Sequence, residues 1–173
     1  MKVILIGVQG SGKTTQATKL AKRLNLPMYT MSQLLKDAIA EDDVYVTTEF
    51  TLDDMRKGIL APTHITKYLY DKIKDESFVF EGYMRTEEQA KSLSTNSDVI
   101  VIELLLSKDE ATKRMLSRQR DDDTIESIDR RLESFYSNIN NIRNYIKVHQ
   151  VDAIGDIEQV NNNMLYIIKA QGV

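Results

Sequence analysis

A glycine-rich loop follows directly after a short apolar run near the start of the chain. Residues 7–14 read Gly-Val-Gln-Gly-Ser-Gly-Lys-Thr and satisfy the pattern G-x-x-x-x-G-K-[ST]. Residues 2–6 before the loop are typical of a strand buried on both faces of a parallel sheet. Residues 13–24 after it place small and apolar side chains on one helix face. This order of strand, loop and helix predicts a site for a nucleoside triphosphate.

The residue types of this loop explain its chemistry. Glycines let the backbone turn its N–H groups inward, and the helix that follows adds its N-terminal dipole. Lys13 is expected to reach the β- and γ-phosphates, and the hydroxyl of Thr14 is expected to ligate Mg²⁺. The residues expected to bind the triphosphate here are Gly7, Gly10, Ser11, Gly12, Lys13, Thr14 and Thr15.

Apolar runs alternate with helical patterns along the rest of the chain. Further strands are predicted at residues 78–80, 99–106 and 150–153, and further helices at residues 32–40, 52–60, 124–148 and from 157. Thr51 and Ser107, each with an acidic residue three positions on, predict helix N-termini. Strands separated by helices indicate a parallel sheet with right-handed crossovers. The predicted fold is α/β, a single domain over residues 1–173.

Composition excludes several other classes of protein. The formal net charge is −3 and the pI is about 5.5, which does not favour a nucleic-acid partner. The absence of cysteine excludes disulfides and thiolate-bound zinc, and only His64 and His149 offer imidazole ligands. The apolar start ends at Gly7 and no run is long enough for a bilayer, so we expect a cytoplasmic protein without a membrane partner. No long apolar surface stripe stands out, which favours a monomer.

Several segments, in unbroken order, resemble the adenylate kinase family of nucleoside monophosphate kinases. Residues 10–16 look like the family's G-x-G-K-G-T-Q, and residues 78–86 (Phe-Val-Phe-Glu-Gly-Tyr-Met-Arg-Thr) look like its F-L-L-D-G-F-P-R-T. Weaker likenesses lie at residues 55–61 (M-x-x-G-x-L-V), 107–118 (the helix that supplies two arginines), 120–132 (R-x-D-D, then R-L) and 151–152 (the start of V-D-G). The resemblance covers essentially the whole chain. It implies a three-layer P-loop NTPase fold with a central parallel sheet of about five strands flanked by helices.

The resemblance also implies a reaction. Family members transfer a phosphoryl group reversibly from Mg-ATP to a nucleoside monophosphate, so ATP, a monophosphate acceptor and the cofactor Mg²⁺ are the expected ligands. AMP is the favoured acceptor, which would give two ADP. A kinase for CMP, UMP or a deoxynucleotide is an alternative. A nucleotide-binding sensor that has lost turnover is an alternative from another class, although a ring of arginines around the transfer site argues against it.

The acceptor side of the implied site lies in a subregion at about residues 30–61 and in the residues after the 78–80 strand. Arg85 would grip the acceptor phosphate. Gln89 would read the adenine edge, because a side-chain amide donates and accepts at once, and the backbone around Leu60 and Ala61 would line the same base. The implied acceptor-binding residues are Thr30, Met31, Lys36, Leu60, Ala61, Gly82, Arg85 and Gln89.

The donor side gathers further charged residues. Glu81 stands where the family has an aspartate that holds the hydration shell of magnesium, and Arg114 and Gly155 would border the ATP base. Asp122 and Asp123 would hold the arginines in place. The implied catalytic residues are Lys13, Arg85, Arg118, Arg120 and Arg131. The simpler interpretation of the arginines between 114 and 131 is a salt-bridged helix pair, since five acidic residues share that stretch.

The chain departs from the family pattern near the acceptor. The motif S-T-G-D-x-L-R aligns with residues 30–36, where Met31 replaces a threonine and Lys36 replaces a phosphate-binding arginine. Lysine keeps the charge but loses the planar fork of guanidinium. Met84 replaces a proline, and Glu81 is one methylene longer than the family's aspartate. These changes bear on acceptor identity and affinity more than on the class of reaction.

The lid of the family is reduced here to a minimal segment at about residues 118–124, a short Asp-rich turn between two helices. We predict that closure over ATP depends on movement of this helical hairpin, because no inserted domain exists to move. Spectroscopic labels should therefore report displacements of the hairpin only. A motion on the scale of an inserted domain would contradict this prediction.

Overall fold

The computed structural model describes residues 1–118 and 124–172. The strands within these residues are β1 (Lys2–Gly7), β2 (Met28–Thr30), β3 (Phe78–Glu81), β4 (Val99–Leu105) and β5 (Val148–Asp152). The helices are α1 (Lys13–Leu24), α2 (Met31–Ala40), α3 (Val44–Thr47), α4 (Leu52–Arg56), α5 (Thr63–Asp71), α6 (Glu87–Leu93), α7 (Lys108–Ser117), α8 (Ile125–Tyr145) and α9 (Ile157–Ala170). None of these helices is long and apolar enough to cross a membrane.

The five strands form one parallel sheet in the order β2-β3-β1-β4-β5. This confirms the predicted α/β class and the parallel sheet. Because all strands run the same way, their carboxyl ends meet at one edge, where Gly7 lies between the ends of β3 and β4 and Thr30 is in register with Glu81. Ligands of open parallel sheets bind at this edge.

Helices cover both faces of the sheet. In β1, Val3 and Leu5 point into one apolar cluster and Ile4 and Ile6 into the other, and all four are at most 2% exposed. The first cluster packs α1, α7 and α9 against the sheet, and the second packs α2, α3, α5 and α6. This burial on two faces explains why β1 is an unbroken apolar run.

Helix α8 connects the two clusters. Ile128 and Leu132 in its first half pack in the first cluster, and Ile142 in its second half packs in the other. An ion pair fastens the second half to the sheet, because the exposed Arg143 donates to both carboxylate oxygens of the buried Glu103 at 2.8 Å. The first half of α8 is thereby held in a defined place above the carboxyl edge.

Four elements (β2, α3, α5 and α6) were not foreseen, and others end at different residues. Strand β2 has only three residues, too few to show a period of two. Helices α5 and α6 were overlooked, although Ile65 and Leu69 repeat at helical spacing in α5. The helix predicted at residues 52–60 ends at Arg56, because Gly58 adopts a left-handed conformation with φ of 74°. The capping box of Thr51 with Asp54 is confirmed.

A buried polar contact attaches α1 to α9. The amide of Asn161, which is fully buried, donates to the backbone oxygen of Gln16 at 3.2 Å and to its Oε1 at 3.0 Å. The side chain of Gln16 in turn donates to the backbone oxygen of Ile157 at 3.2 Å. Since α1 begins at the glycine-rich loop, these bonds fix the loop relative to the last helix.

Replacing Asn161 with Leu should lower the free energy of unfolding by about 2 kcal/mol, because it leaves the buried amide oxygen of Gln16 without this donor. Urea denaturation of the variant against the parent protein measures the difference. The exchange Asn163→Leu at an exposed position of the same helix is the matched control. Equal losses in the two variants would contradict a specific role for the Asn161 contact.

Candidate active site

The glycine-rich loop leaves the end of β1 and enters α1 at the centre of the carboxyl edge. Gly7 and Gly10 have φ angles of 146° and 88°, which favour glycine. A Cβ on Gly7 would lie 2.7 Å from the backbone oxygen of Leu104, and one on Gly10 would lie 2.9 Å from that of Ala111. Glycine is therefore required at both positions for conformation and for space. Gly12 forms the N-cap of α1, and the exposed Thr15 follows in its first turn.

Lys13 lies across this loop. Its Nζ donates to the backbone oxygen of Val8 at 3.0 Å. Desolvation by the surrounding protein lowers the pKa of Lys13 to about 8; Glu81 opposes the shift, and Arg85 and Arg118 add to it. The hydroxyl of Ser11 is buried and has no hydrogen-bond partner among the described residues. The loop thus holds an ammonium group and a hydroxyl that an anionic ligand can use.

Glu81 ends β3 beside the start of α1. The Thr14 hydroxyl donates to Oε2 of Glu81 at 3.3 Å, so a hydroxyl oxygen and a carboxylate oxygen from two distant segments meet at the loop. Both are hard oxygen ligands of the kind that Mg²⁺ prefers, and Mg²⁺ in nucleotide sites keeps few protein ligands. The two residues predicted for magnesium, Thr14 and Glu81, therefore fit that ion.

Basic side chains from four segments lie close enough to act on one another, and Glu81 acts on two of them. Lys13 is repelled by Arg85 and Arg118, and Arg85 is repelled by Arg131. Desolvation and this repulsion lower the pKa of Arg85, while Glu81 raises it. The structure thus brings together Lys13, Arg85, Arg118 and Arg131, four of the five predicted catalytic residues. The fifth, Arg120, lies outside the described residues, as do Asp122 and Asp123.

The acceptor side adjoins this group at the ends of β2 and β3. Thr30 caps α2 through the backbone N–H of Gln33 at 3.0 Å. A Cβ on Gly82 would lie 3.5 Å from a guanidinium nitrogen of Arg85 and 3.8 Å from Cβ of Met31. The buried Met31 and the Arg85 guanidinium therefore both border Gly82, whereas Lys36 is exposed on α2.

Gln89 lies in α6 and is 3% exposed. Its Oε1 accepts the backbone N–H groups of Arg85 at 2.6 Å and Thr86 at 3.0 Å, and the latter bond completes a capping box. Its Nε2 donates to the hydroxyl of Thr66 at 2.8 Å. Gln89 therefore organises the turn that carries Arg85. Sequence reasoning missed Thr66, because α5 was not predicted.

The segment that carries Leu60 and Ala61 is attached to α8. The guanidinium of Arg131 donates to the backbone oxygen of Met55 at 3.3 Å, and Arg130 donates to that of Lys57. A Cβ on Gly58 would lie 3.1 Å from two atoms of the Arg131 side chain. Leu60 and Ala61 follow this contact and are partly exposed.

Arg114 lies on the other side of the loop, in α7. It pairs with Glu110 at 2.8 Å and donates to the backbone oxygen of Ala153, directly after β5, at 3.4 Å. Ile154 and the exposed Gly155 follow Ala153, and Ile154 is 60% exposed. Arg114 thus contacts the segment that carries Ile154 and Gly155.

Comparison with known proteins shows the family to which the chain belongs. A family model described as an AAA domain matches residues 6–129. Curated adenylate kinases of Mycobacterium ulcerans and Mycobacterium marinum are 34% and 33% identical to the chain, and that of Mycobacterium bovis is 31% identical. Each match covers 92% of this chain and 94% of the relative. The chain belongs to the adenylate kinase family. It is accordingly a P-loop, nucleotide-binding enzyme of the nucleoside monophosphate kinase type, as the resemblance implied.

Binding of Mg-ATP should depend on the protonation of Lys13. With a pKa of about 8, Lys13 is charged below pH 8 and loses its charge above it. Bound phosphate favours the charged form, so the affinity for a non-hydrolysable ATP analogue should fall about tenfold between pH 7 and pH 9. Calorimetry measures this fall and the uptake of a proton on binding near pH 8.

The variant Lys13→Arg is the matched control for the pH dependence, because guanidinium stays charged over this range. It should bind more weakly overall but with little change between pH 7 and pH 9. An affinity of the parent protein that stays constant or rises with pH would contradict the role given to Lys13.

Proposed function

We propose that the protein transfers the γ-phosphoryl group of Mg-ATP reversibly to a nucleoside monophosphate, with AMP as the favoured acceptor and two ADP as products. The observation that carries this proposal is the position of Arg85. Its guanidinium shares an electrostatic cluster with Lys13 of the loop and adjoins Met31 and Gly82 on the acceptor side. One cation therefore lies between the two places where phosphates are expected.

The reaction needs no strong base, because the acceptor phosphate oxygen is already an anion at neutral pH. Catalysis then consists of bringing two anions into line and stabilising the charge of the transferring group. Lys13 would bind the β- and γ-phosphates, Arg85 the acceptor phosphate, and Arg118 and Arg131 the group in transfer. Guanidinium suits this role because it stays charged and presents paired N–H donors.

Magnesium would be held by Thr14 and, through its water shell, by Glu81. When bound, the ion supplies positive charge that offsets the phosphates and a template that orients them. Glu81 has a second role among the described residues, because its negative charge opposes the mutual repulsion of Lys13 and Arg85. The same carboxylate would thus hold both the ion and the two side chains in place.

AMP as the acceptor is supported by the names of the relatives and by the position of Gln89. Curated proteins similar over nearly the whole chain are adenylate kinases. The backbone N–H of Arg85 donates to Oε1 of Gln89 at 2.6 Å, so the two residues are neighbours. A base near Gln89 and a phosphate near Arg85 would therefore belong to one bound nucleotide. Met31 and Lys36 are the positions where the acceptor site differs from the family pattern.

The exchange Arg85→Ala should reduce the rate of nucleoside diphosphate formation about 100-fold or more, because it removes a charged donor that acts on the phosphates. The assay measures products from ATP with AMP, CMP, UMP and dAMP. Arg23→Ala, on the far side of α1 where Arg23 pairs with Glu158, is the matched control and should retain activity.

The outcomes of this assay separate the candidate functions. Turnover of AMP that depends on Arg85 supports the proposal. A preference for CMP or UMP would replace AMP by a pyrimidine nucleotide as acceptor. Tight binding of ATP without turnover of any acceptor would overturn the proposal in favour of a nucleotide sensor.

A further inference from the structure

Two neighbouring arginines in the first half of α8 bond to the turn that ends α4. The guanidinium of Arg131 donates to the backbone oxygen of Met55 at 3.3 Å, and that of Arg130 donates to the backbone oxygen of Lys57. The two oxygens lie two positions apart, so both arginines bond to one turn of backbone. Gly58 lets this turn approach α8 closely, because a Cβ there would lie 3.1 Å from the Arg131 side chain.

The backbone of this turn, at residues 55–59, bonds mostly to itself. The N–H groups of residues 57, 58 and 59 donate to the backbone oxygens of residues 53, 55 and 54. Carbonyls at the end of a helix have no partner in the helix itself, and Arg130 supplies the donor for the carbonyl of Lys57, the C-cap of α4. Because the acceptor is a main-chain oxygen, this contact does not require a particular side chain at position 57.

The guanidinium of Arg130 is bonded on two sides. One nitrogen donates to the carboxylate of Glu126, one turn earlier in α8, at 2.9 Å, and another donates to the oxygen of Lys57. A planar guanidinium that bonds in two directions has a defined orientation. Although its side chain is 43% exposed, Arg130 is therefore a fixed link between α8 and the turn.

The two arginines act on different groups. The charge of Arg131 acts on Arg85, which belongs to the group of cations at the carboxyl edge of the sheet. The charge of Arg130 acts on Lys57 in the turn. Two adjacent residues of one helix thus serve two places, Arg131 the place where phosphates are expected and Arg130 the turn beside it.

The turn leads directly into the residues expected to line the acceptor base. Leu60 follows Lys57 by three positions, and Ala61 comes next. Three residues span at most about 10 Å of chain, so a displacement of the Lys57 carbonyl is passed on to Leu60. The position of the base-lining backbone therefore depends on how firmly the turn is held against α8.

We propose that Arg130 is a positioning residue for the acceptor, which holds the turn at residues 55–59 against α8 through the backbone oxygen of Lys57 and thereby fixes Leu60 and Ala61 beside the acceptor base. The inference rests on the proposed function, because it concerns the acceptor of the same transfer. Arg130 acts on the acceptor only through the turn. Its loss should therefore raise the KM for the acceptor more than it lowers kcat, and it should leave the KM for ATP unchanged.

The first test measures kcat and the KM values for ATP and AMP with the parent protein, Arg130→Met and Arg130→Lys. Methionine keeps an unbranched apolar stem but has no donor, so the turn loses this bond to α8. The KM for AMP should rise about tenfold in Arg130→Met, whereas kcat and the KM for ATP should change less than about twofold. Lysine keeps a donor for the carbonyl, so Arg130→Lys should recover most of the affinity for AMP.

Glu126→Gln is the matched control. It removes the charge with which Arg130 pairs inside α8 and leaves the donation to Lys57 in place. Because an exposed ion pair contributes little, its KM for AMP should stay within about twofold of the parent value. A rise equal to that of Arg130→Met would assign the effect to the ion pair and overturn the inference.

The second test follows the turn in the absence of any nucleotide. The amides of residues 57, 58 and 59 bond within the turn, so their hydrogen exchange reports how often the turn opens. In Arg130→Met this exchange should be about tenfold faster than in the parent protein, while exchange at residues 17–21 of α1 should not change. Equal exchange rates in the parent and the variant at residues 57–59 would overturn the inference.

These tests distinguish the inference from the function on which it rests. If the parent protein turns over no monophosphate, the proposed function fails, and the exchange rates decide whether Arg130 holds the turn. If AMP is turned over but Arg130→Met lowers kcat at an unchanged KM for AMP, the function stands and the inference fails, because Arg130 would then act on the group in transfer.

Discussion

Mutual repulsion among Lys13, Arg85, Arg118 and Arg131 is the constraint to which the rest of the site is adapted. Desolvation by burial is the main cause of the lowered pKa of Lys13, and repulsion by Arg85 and Arg118 adds to it. The four cations come from different segments: Lys13 from α1, Arg85 from the turn after β3, Arg118 from the end of α7 and Arg131 from α8. Within residues 1–118 and 124–172, Glu81 is a carboxylate whose charge acts on both Lys13 and Arg85. A cluster of this kind is poised for polyanionic ligands, which remove the repulsion when they bind.

The parallel sheet makes that arrangement possible. Strands β1 and β3 are neighbours, so the loop after one and the Glu81 carboxylate at the end of the other are adjacent without any long side chain. Helix α8 contributes Arg131 to the site from its first half. Its second half is held against the sheet by the Glu103–Arg143 pair. Through Arg131 the same helix contacts the acceptor segment at Met55. One helix therefore contacts both the donor side and the acceptor side of the site.

The acceptor side is where this chain differs from the pattern of its relatives. Met31 is buried and borders Gly82, as the Arg85 guanidinium does, so an apolar side chain stands here where the family pattern has a hydroxyl. Lys36 is exposed and supplies a point charge in place of a fork. Under the proposed function, these differences would leave more of the recognition of the acceptor phosphate to Arg85.

The sequence by itself determined the phosphate loop, the strand before it, the helix after it and the α/β class. The loop, the strand and the helix lie within residues 2–24, and the α/β class follows from the spacing of apolar residues along the chain. Both depend on residues that are close in sequence. The family pattern also located Arg85, Glu81 and Gln89. It did not determine that Gln89 is buried with its amide bonded to Thr66, because that hydroxyl lies 23 positions away in another helix. Only the tertiary structure decided this, since hydrogen-bond direction depends on which groups meet in space and leaves no period in the sequence.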